Sequence, residues 1–147
     1  MTKEILIRIG GLQIRQEDEE EQIEVINSGT YYCKNDKHYI IYEEPIEGFA
    51  EPNKNRIKME PGYVEITKKG PVTVQLIFDE QTKHITYYQT PYGGMELGID
   101  TKRIEIKETD DRIQVSIEYD LEINSEHMAH CAIDLEIMAK DSAEFEL

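Results

Sequence analysis

The chain reads as all-β, a single antiparallel closed barrel of about eight to ten strands, and three observations point there. Ile113, Val115, Ile117, Tyr119, Leu121 and Ile123 alternate with Gln114, Ser116, Glu118, Asp120 and Glu122, which sets one face in a core and the other in water. Period-two runs of this kind, broken by Asn-Asp, Pro-Gly and Gly-Gly pairs, recur along the chain with no convincing interior helix. Two of the runs change phase by one residue beside glycine, and strands bent at bulges favour a barrel over a sandwich. Closure also removes exposed edges, which suits a chain with many β-branched runs.

The first strand spans Glu4 to about Gln16. Ile5, Ile7 and Ile9 lie in one phase and Leu12 and Ile14 in the other, so a bend is expected at Gly10-Gly11. Glu17 to Glu21 forms an acidic loop that lacks the spacing and central glycine of a calcium loop. Gln22 to Ser28, Thr30 to Lys34 and His38 to Glu44 follow as strands, the last two joined by a tight turn at Asn35-Asp36. Pro45, Gly48 and Pro52 make Glu44 to Asn53 a loop, with Phe49 expected to pack down as a flap.

Asn55 to Glu60 and Tyr63 to Lys69 flank the turn pair Pro61-Gly62, and Pro71 to Asp79 sets Val72, Val74, Leu76 and Phe78 on one face. His84 to Gln89 leads through Thr90-Pro91-Tyr92-Gly93-Gly94 into a long strand from about Met95 to Lys107. Its phase changes between Ile99 and Ile104, which predicts a second bend at Gly98 to Thr101. Arg112 to Asn124 and His127 to Met138 form the last pair. Met128, Cys131, Ala132, Leu135 and Met138 could stripe a helix, but Cys131, Ile133, Leu135 and Ile137 alternate cleanly as a strand. Residues 1–140 make one barrel domain and residues 141–147 an acidic C-terminal tail.

The 147 residues suit one core, and a hydrophobic share of 39% beside a charged share of 32% describes a packed interior with well-solvated outer faces. A net charge of -15 disfavours both nucleic acid and anionic membrane as partners, since each selects a basic surface. Cys33 and Cys131 form no zinc-type spacing and each is expected as a small buried apolar residue. Arg8 interrupts the N-terminal apolar run, and no stretch approaches the roughly 20 apolar residues of a membrane span. These features predict a cytoplasmic protein with reduced thiols. No oligomeric state is legible.

Gly-Thr-Tyr-Tyr at 29 to 32, Tyr-Glu-Glu at 42 to 44, Lys-Lys-Gly at 68 to 70, Thr-Pro-Tyr-Gly at 90 to 93 and Glu-Tyr-Asp-Leu-Glu-Ile-Asn at 118 to 124, in this order, resemble the YwiB-like family of small bacterial β-barrel proteins. The resemblance covers roughly Glu4 to Met138. It implies a calycin or lipocalin-like antiparallel barrel, and it brings no assigned site to carry over. The segment Glu126 to His130 and the acidic tail depart from the pattern.

Chemistry is best sought where phenols, carboxylates, proline and glycine gather. Thr90, Tyr92 and Gly93 with Tyr88 before them form a loop with a special backbone. Tyr42 and Glu44 end a tyrosine-rich hairpin, and Lys68 is a cation that could join them. Tyr42, Glu44, Lys68, Tyr88, Thr90, Tyr92 and Gly93 are therefore the candidate ligand-binding residues, for a small apolar or amphipathic molecule at one barrel mouth. The structural alternative is strand-end tyrosines and surface lysines around a side-chain-filled barrel, which would suit a protein-interaction module. An enzyme with Tyr, His or Glu as acid or base is a further alternative, but no catalytic residue, cofactor or metal set is legible. His127 and His130 have a spacing that could hold a metal on a helix, yet on a strand the two imidazoles point to opposite faces, so the strand reading argues against a metal site there.

Overall fold

A computed structural model describes residues 2–10, 24–46, 48–91 and 93–140. Ten strands form one antiparallel sheet: β1 Thr2–Gly10, β2 Glu24–Lys34, β3 Lys37–Glu44, β4 Asn53–Glu60, β5 Tyr63–Lys69, β6 Val74–Asp79, β7 His84–Thr90, β8 Gly93–Glu108, β9 Arg112–Ile123 and β10 Glu126–Ala139. The order β6-β5-β4-β3-β2-β1-β10-β9-β8-β7 pairs sequence neighbours throughout and joins the first strand to the last. Between β6 and β7 the wall is drawn together by Thr73 and Gln89, whose backbones exchange two hydrogen bonds of 2.9 Å. The result is the expected barrel, nearly closed.

Local chemistry explains the hairpins. Asn35 and Asp36 both have positive φ (54° and 64°), as do Asn124 and Ser125 (50° and 72°), and a two-residue hairpin turn with this twist favours such residues. The expected turn at Asn35-Asp36 is therefore present. The 113–121 alternation holds residue by residue: Ile113, Val115, Ile117, Tyr119 and Leu121 are buried, while Gln114, Ser116 and Glu118 are exposed. His127 to Met138 lies within a strand, not a helix.

Several expectations need correction. Gln22 to Ser28 and Thr30 to Lys34 are not two strands; β2 runs unbroken through Gly29. Gly29 is there because a Cβ would sit 2.7 Å from the Ile41 carbonyl oxygen, a crowding that only glycine avoids. The β8 bulge falls between Thr101 and Arg103, so Gly98 is not the bend: it sits in register opposite Ile85 and Glu122 without positive φ. Phe49 is 42% exposed and does not pack down as a flap. Cys33 is exposed, because it lies beside the Asn35-Asp36 turn and past the end of the core, and Cys131 is half-buried. Gly11 of the first bend, the acidic loop 17–21, Tyr92 and the tail 141–147 lie outside the described residues.

The barrel is filled at mid-height. Ile7, Ile40, Ile57, Ile66, Phe78, Leu97, Ile117 and Ile133 have almost no exposed surface and belong to one cluster. Tyr119 meets Phe78 edge-on at a centroid distance of 5.0 Å. Each such side chain contributes about 1.5 to 3 kcal/mol on burial, so this belt holds the fold.

Candidate functional site

Three neighbouring strands change character together toward one end of the barrel. Along the inward phase β3 passes from Ile40 to Tyr42 to Glu44, β4 from Ile57 to Asn55 to Asn53, and β5 from Ile66 to Lys68. Their pairing, Tyr42 opposite Asn55 and Asn55 opposite Lys68, brings the polar residues side by side. Asn53 and Asn55 are as buried as the isoleucines beyond them.

Glu44 Oε1 organises this end, accepting hydrogen bonds from Asn55 Nδ2 at 2.9 Å and Lys68 Nζ at 3.2 Å. The Lys68 side chain is only 14% exposed, so it is not the surface lysine that strand-end position suggested. Asn53 Oδ1 accepts from the Val72 amide at 3.1 Å. Gly70 follows with φ of 147°, and a Cβ there would collide with Asn53 Oδ1 at 2.4 Å, so glycine is required where β5 leaves the wall. Burial, and then the Glu44 carboxylate, raise the Tyr42 phenol far above its ordinary range. The same two causes raise Tyr88, which sets it within electrostatic reach of Glu44.

Of the sequence-predicted residues, Tyr42, Glu44 and Lys68 are thus brought together across β3, β4 and β5, and Tyr88 packs half-buried against the core from β7. Thr90 pairs through its backbone with Gly93 across the β7–β8 turn, where Gly93 takes a φ of 132° that favours glycine. Asn53 escaped sequence reasoning because asparagine after Pro52 reads as loop, and Asn55 because it was placed only as the start of a strand. Their shared phase with Ile57 and Met59 was the available signal.

Among the described residues, several buried polar atoms here have no hydrogen-bond partner: Asn53 Nδ2, Asn55 Oδ1 and, one strand further on, Asn27 Nδ2, while the Tyr42 hydroxyl has only the Asn55 amide beside it. Such atoms are rare in folded proteins because each forfeits its bonds to water. Together with the Glu44–Lys68 pair they offer both donors and acceptors within an apolar surround. A hydroxyl or amide is the complementary group.

The opposite end carries a cleft of about 270 Å³ with Ile5, Ile113 and Ile137 in its lining and Tyr31, Glu108 and Asp111 among its polar groups. The Tyr31 hydroxyl lies 2.7 Å from His38 Nδ1, and His38 Nε2 lies 2.8 Å from Glu108. Burial first, with Cys33 and Glu108 nearby, pushes Tyr31 up to about 12. The phenol therefore stays protonated at neutral pH, and its hydrogen bond with the imidazole orients Tyr31 and does not ionise it. His38 read as isolated in sequence because its partners lie on β2 and at the end of β8.

A nearly closed antiparallel barrel with a filled apolar belt and a polar end defines the class of protein, a small all-β barrel. Within that class the chain belongs to the family described as domain of unknown function DUF1934, whose model matches residues 7–135. It is 29% identical over 125 residues to the uncharacterized beta-barrel protein YwiB of Bacillus subtilis (strain 168), a match covering 84% of this chain and 87% of the relative. The crystal structure of the ywiB protein from Bacillus subtilis shares the fold at a TM-score of 0.77 and 24% identity, covering 94% of this chain and 92% of that one. The YwiB-like resemblance and the barrel are thereby established.

Proposed function

We propose that this protein is a cytoplasmic small-ligand-binding barrel that receives the polar head of an amphipathic molecule at the Tyr42, Glu44, Asn53, Asn55, Lys68 and Tyr88 cluster. The observation that carries the proposal is the set of buried, unpartnered donors and acceptors beside the Glu44–Lys68 pair. A bound hydroxyl or amide would satisfy both kinds, and orientation by a few convergent polar groups is how small-molecule sites gain specificity. The filled belt below limits the ligand to a shallow, small head group with its apolar part toward the rim. Thr90, Tyr92 and Gly93 belong to the ligand set in this proposal.

A screen of metabolites and hydrophobic probes against wild type, Tyr88→Ala and Asn55→Leu tests it. Saturable binding that both substitutions weaken supports the site. A second reading, an interaction module, is favoured by the same filled belt. Wild type that binds nothing saturably, or binding unchanged in both variants, would leave that second reading in front.

A further inference from the structure

We infer that Asp120, His127 and His130 form a site for a late first-row divalent cation, with Zn²⁺ as its representative, on the outer wall of the barrel. On a regular strand His127 and His130 would face opposite sides of the sheet. The β9–β10 register shows why they do not. His130 pairs with Asp120 and His127 with Glu122, both on the outward phase of β9, while the register shifts between His127 and Ala129. Met128 is the extra residue of a β-bulge, and it returns His127 to the solvent face. Bulges interrupt the ladder and characteristically re-aim a side chain.

The outcome is convergence. One potential ligand atom from each of the three residues lies within 4.8 Å of the other two. The imidazoles stand edge-on at a centroid distance of 5.1 Å and an interplanar angle of 62°. His130 Nδ1 and the Asp120 carboxylate are already in contact. Two imidazoles and one carboxylate are ligands of borderline softness that suit Zn²⁺, Cu²⁺ or Ni²⁺ better than hard cations. Three protein ligands leave further positions to water, and a His130 side chain that is 82% exposed gives the ion free entry. Lys102 Nζ, 3.8 Å from Asp120 and 3.0 Å from Asp100, is the competing cation and can remain on Asp100.

Isothermal titration of chelator-treated protein with Zn²⁺ tests the site, with Ca²⁺ as the control for loose binding by surface carboxylates. Wild type should bind one Zn²⁺ that Ca²⁺ does not displace. His127→Ala and His130→Ala should each weaken binding at least about tenfold, the low end of what even an outer-shell partner contributes. Both histidines are exposed, so metal-free variants should melt with wild type. Absence of one-to-one binding by wild type, or Zn²⁺ binding unchanged in the His127→Ala/His130→Ala double variant, would overturn the inference.

Discussion

The belt and the polar end of the barrel are built from the same strands, two residues apart, and obey opposite rules. At the belt, Ile40, Ile57 and Ile66 meet across β3, β4 and β5 with almost no exposed surface and no polar atom to satisfy. One step along the same inward phase stand Tyr42, Asn55 and Lys68, where buried polar atoms lack protein partners. Apolar burial favours folding at every belt position. Buried amides and an ion pair contribute little net stability, because desolvation offsets most of what their contacts return. The belt therefore holds the fold, while the polar end adds little to its stability.

The sharpest way to break that comparison is to truncate the belt. Tyr119→Ala, which removes the ring packed on Phe78, should destabilise by about 3 to 5 kcal/mol in urea unfolding, as large-to-small core changes do. At the polar end, Asn55→Leu gives up the Nδ2 hydrogen bond to Glu44 but also removes a buried acceptor without a partner, and Glu44 keeps Lys68. Its stability should stay within about 1.5 kcal/mol of wild type.

A gentler probe is alkaline pH. Burial, the first cause in each case, pushes Tyr31 and Tyr63 from 10.0 up to about 12. The fold thus holds these protons more tightly than the unfolded chain does. That contribution is complete below the unfolded value of about 10 and is lost as pH rises through about 12. Urea midpoints measured across this window should fall, with tyrosinate absorbance lagging behind that of free tyrosine until the protein unfolds. The smallest expected effect is Glu118→Ala on the exposed face of β9, within about 0.5 kcal/mol of wild type.

Much of the belt was legible because a half-buried strand must alternate, and the 113–121 run does so without exception. The polar end was legible in part. Tyr42, Glu44, Lys68 and Tyr88 stood out by residue type, but pairing across β3, β4 and β5 is a long-range fact, so Asn53 passed as loop and Asn55 as an ordinary strand end. Bulges were the weakest point, since a register shift depends on the partner strand as much as on local glycine. The bend assigned to Gly98 falls between Thr101 and Arg103, and the shift beside Met128 carries no glycine at all. Tyr31, His38 and Glu108 escaped for the same reason as the asparagines, because they meet only after three separate strands are in place.

The most direct measurement is the urea midpoint of a Glu44→Met/Asn55→Leu/Lys68→Met triple variant, which exchanges both members of the half-buried pair, and the amide that donates to Glu44, for apolar side chains of similar size. Replacing both partners of such a pair is often neutral or stabilising, by about 1 to 4 kcal/mol at most. The account predicts a midpoint equal to or above that of wild type. A fall as large as that of Tyr119→Ala would contradict it and make the polar end part of what holds the barrel together.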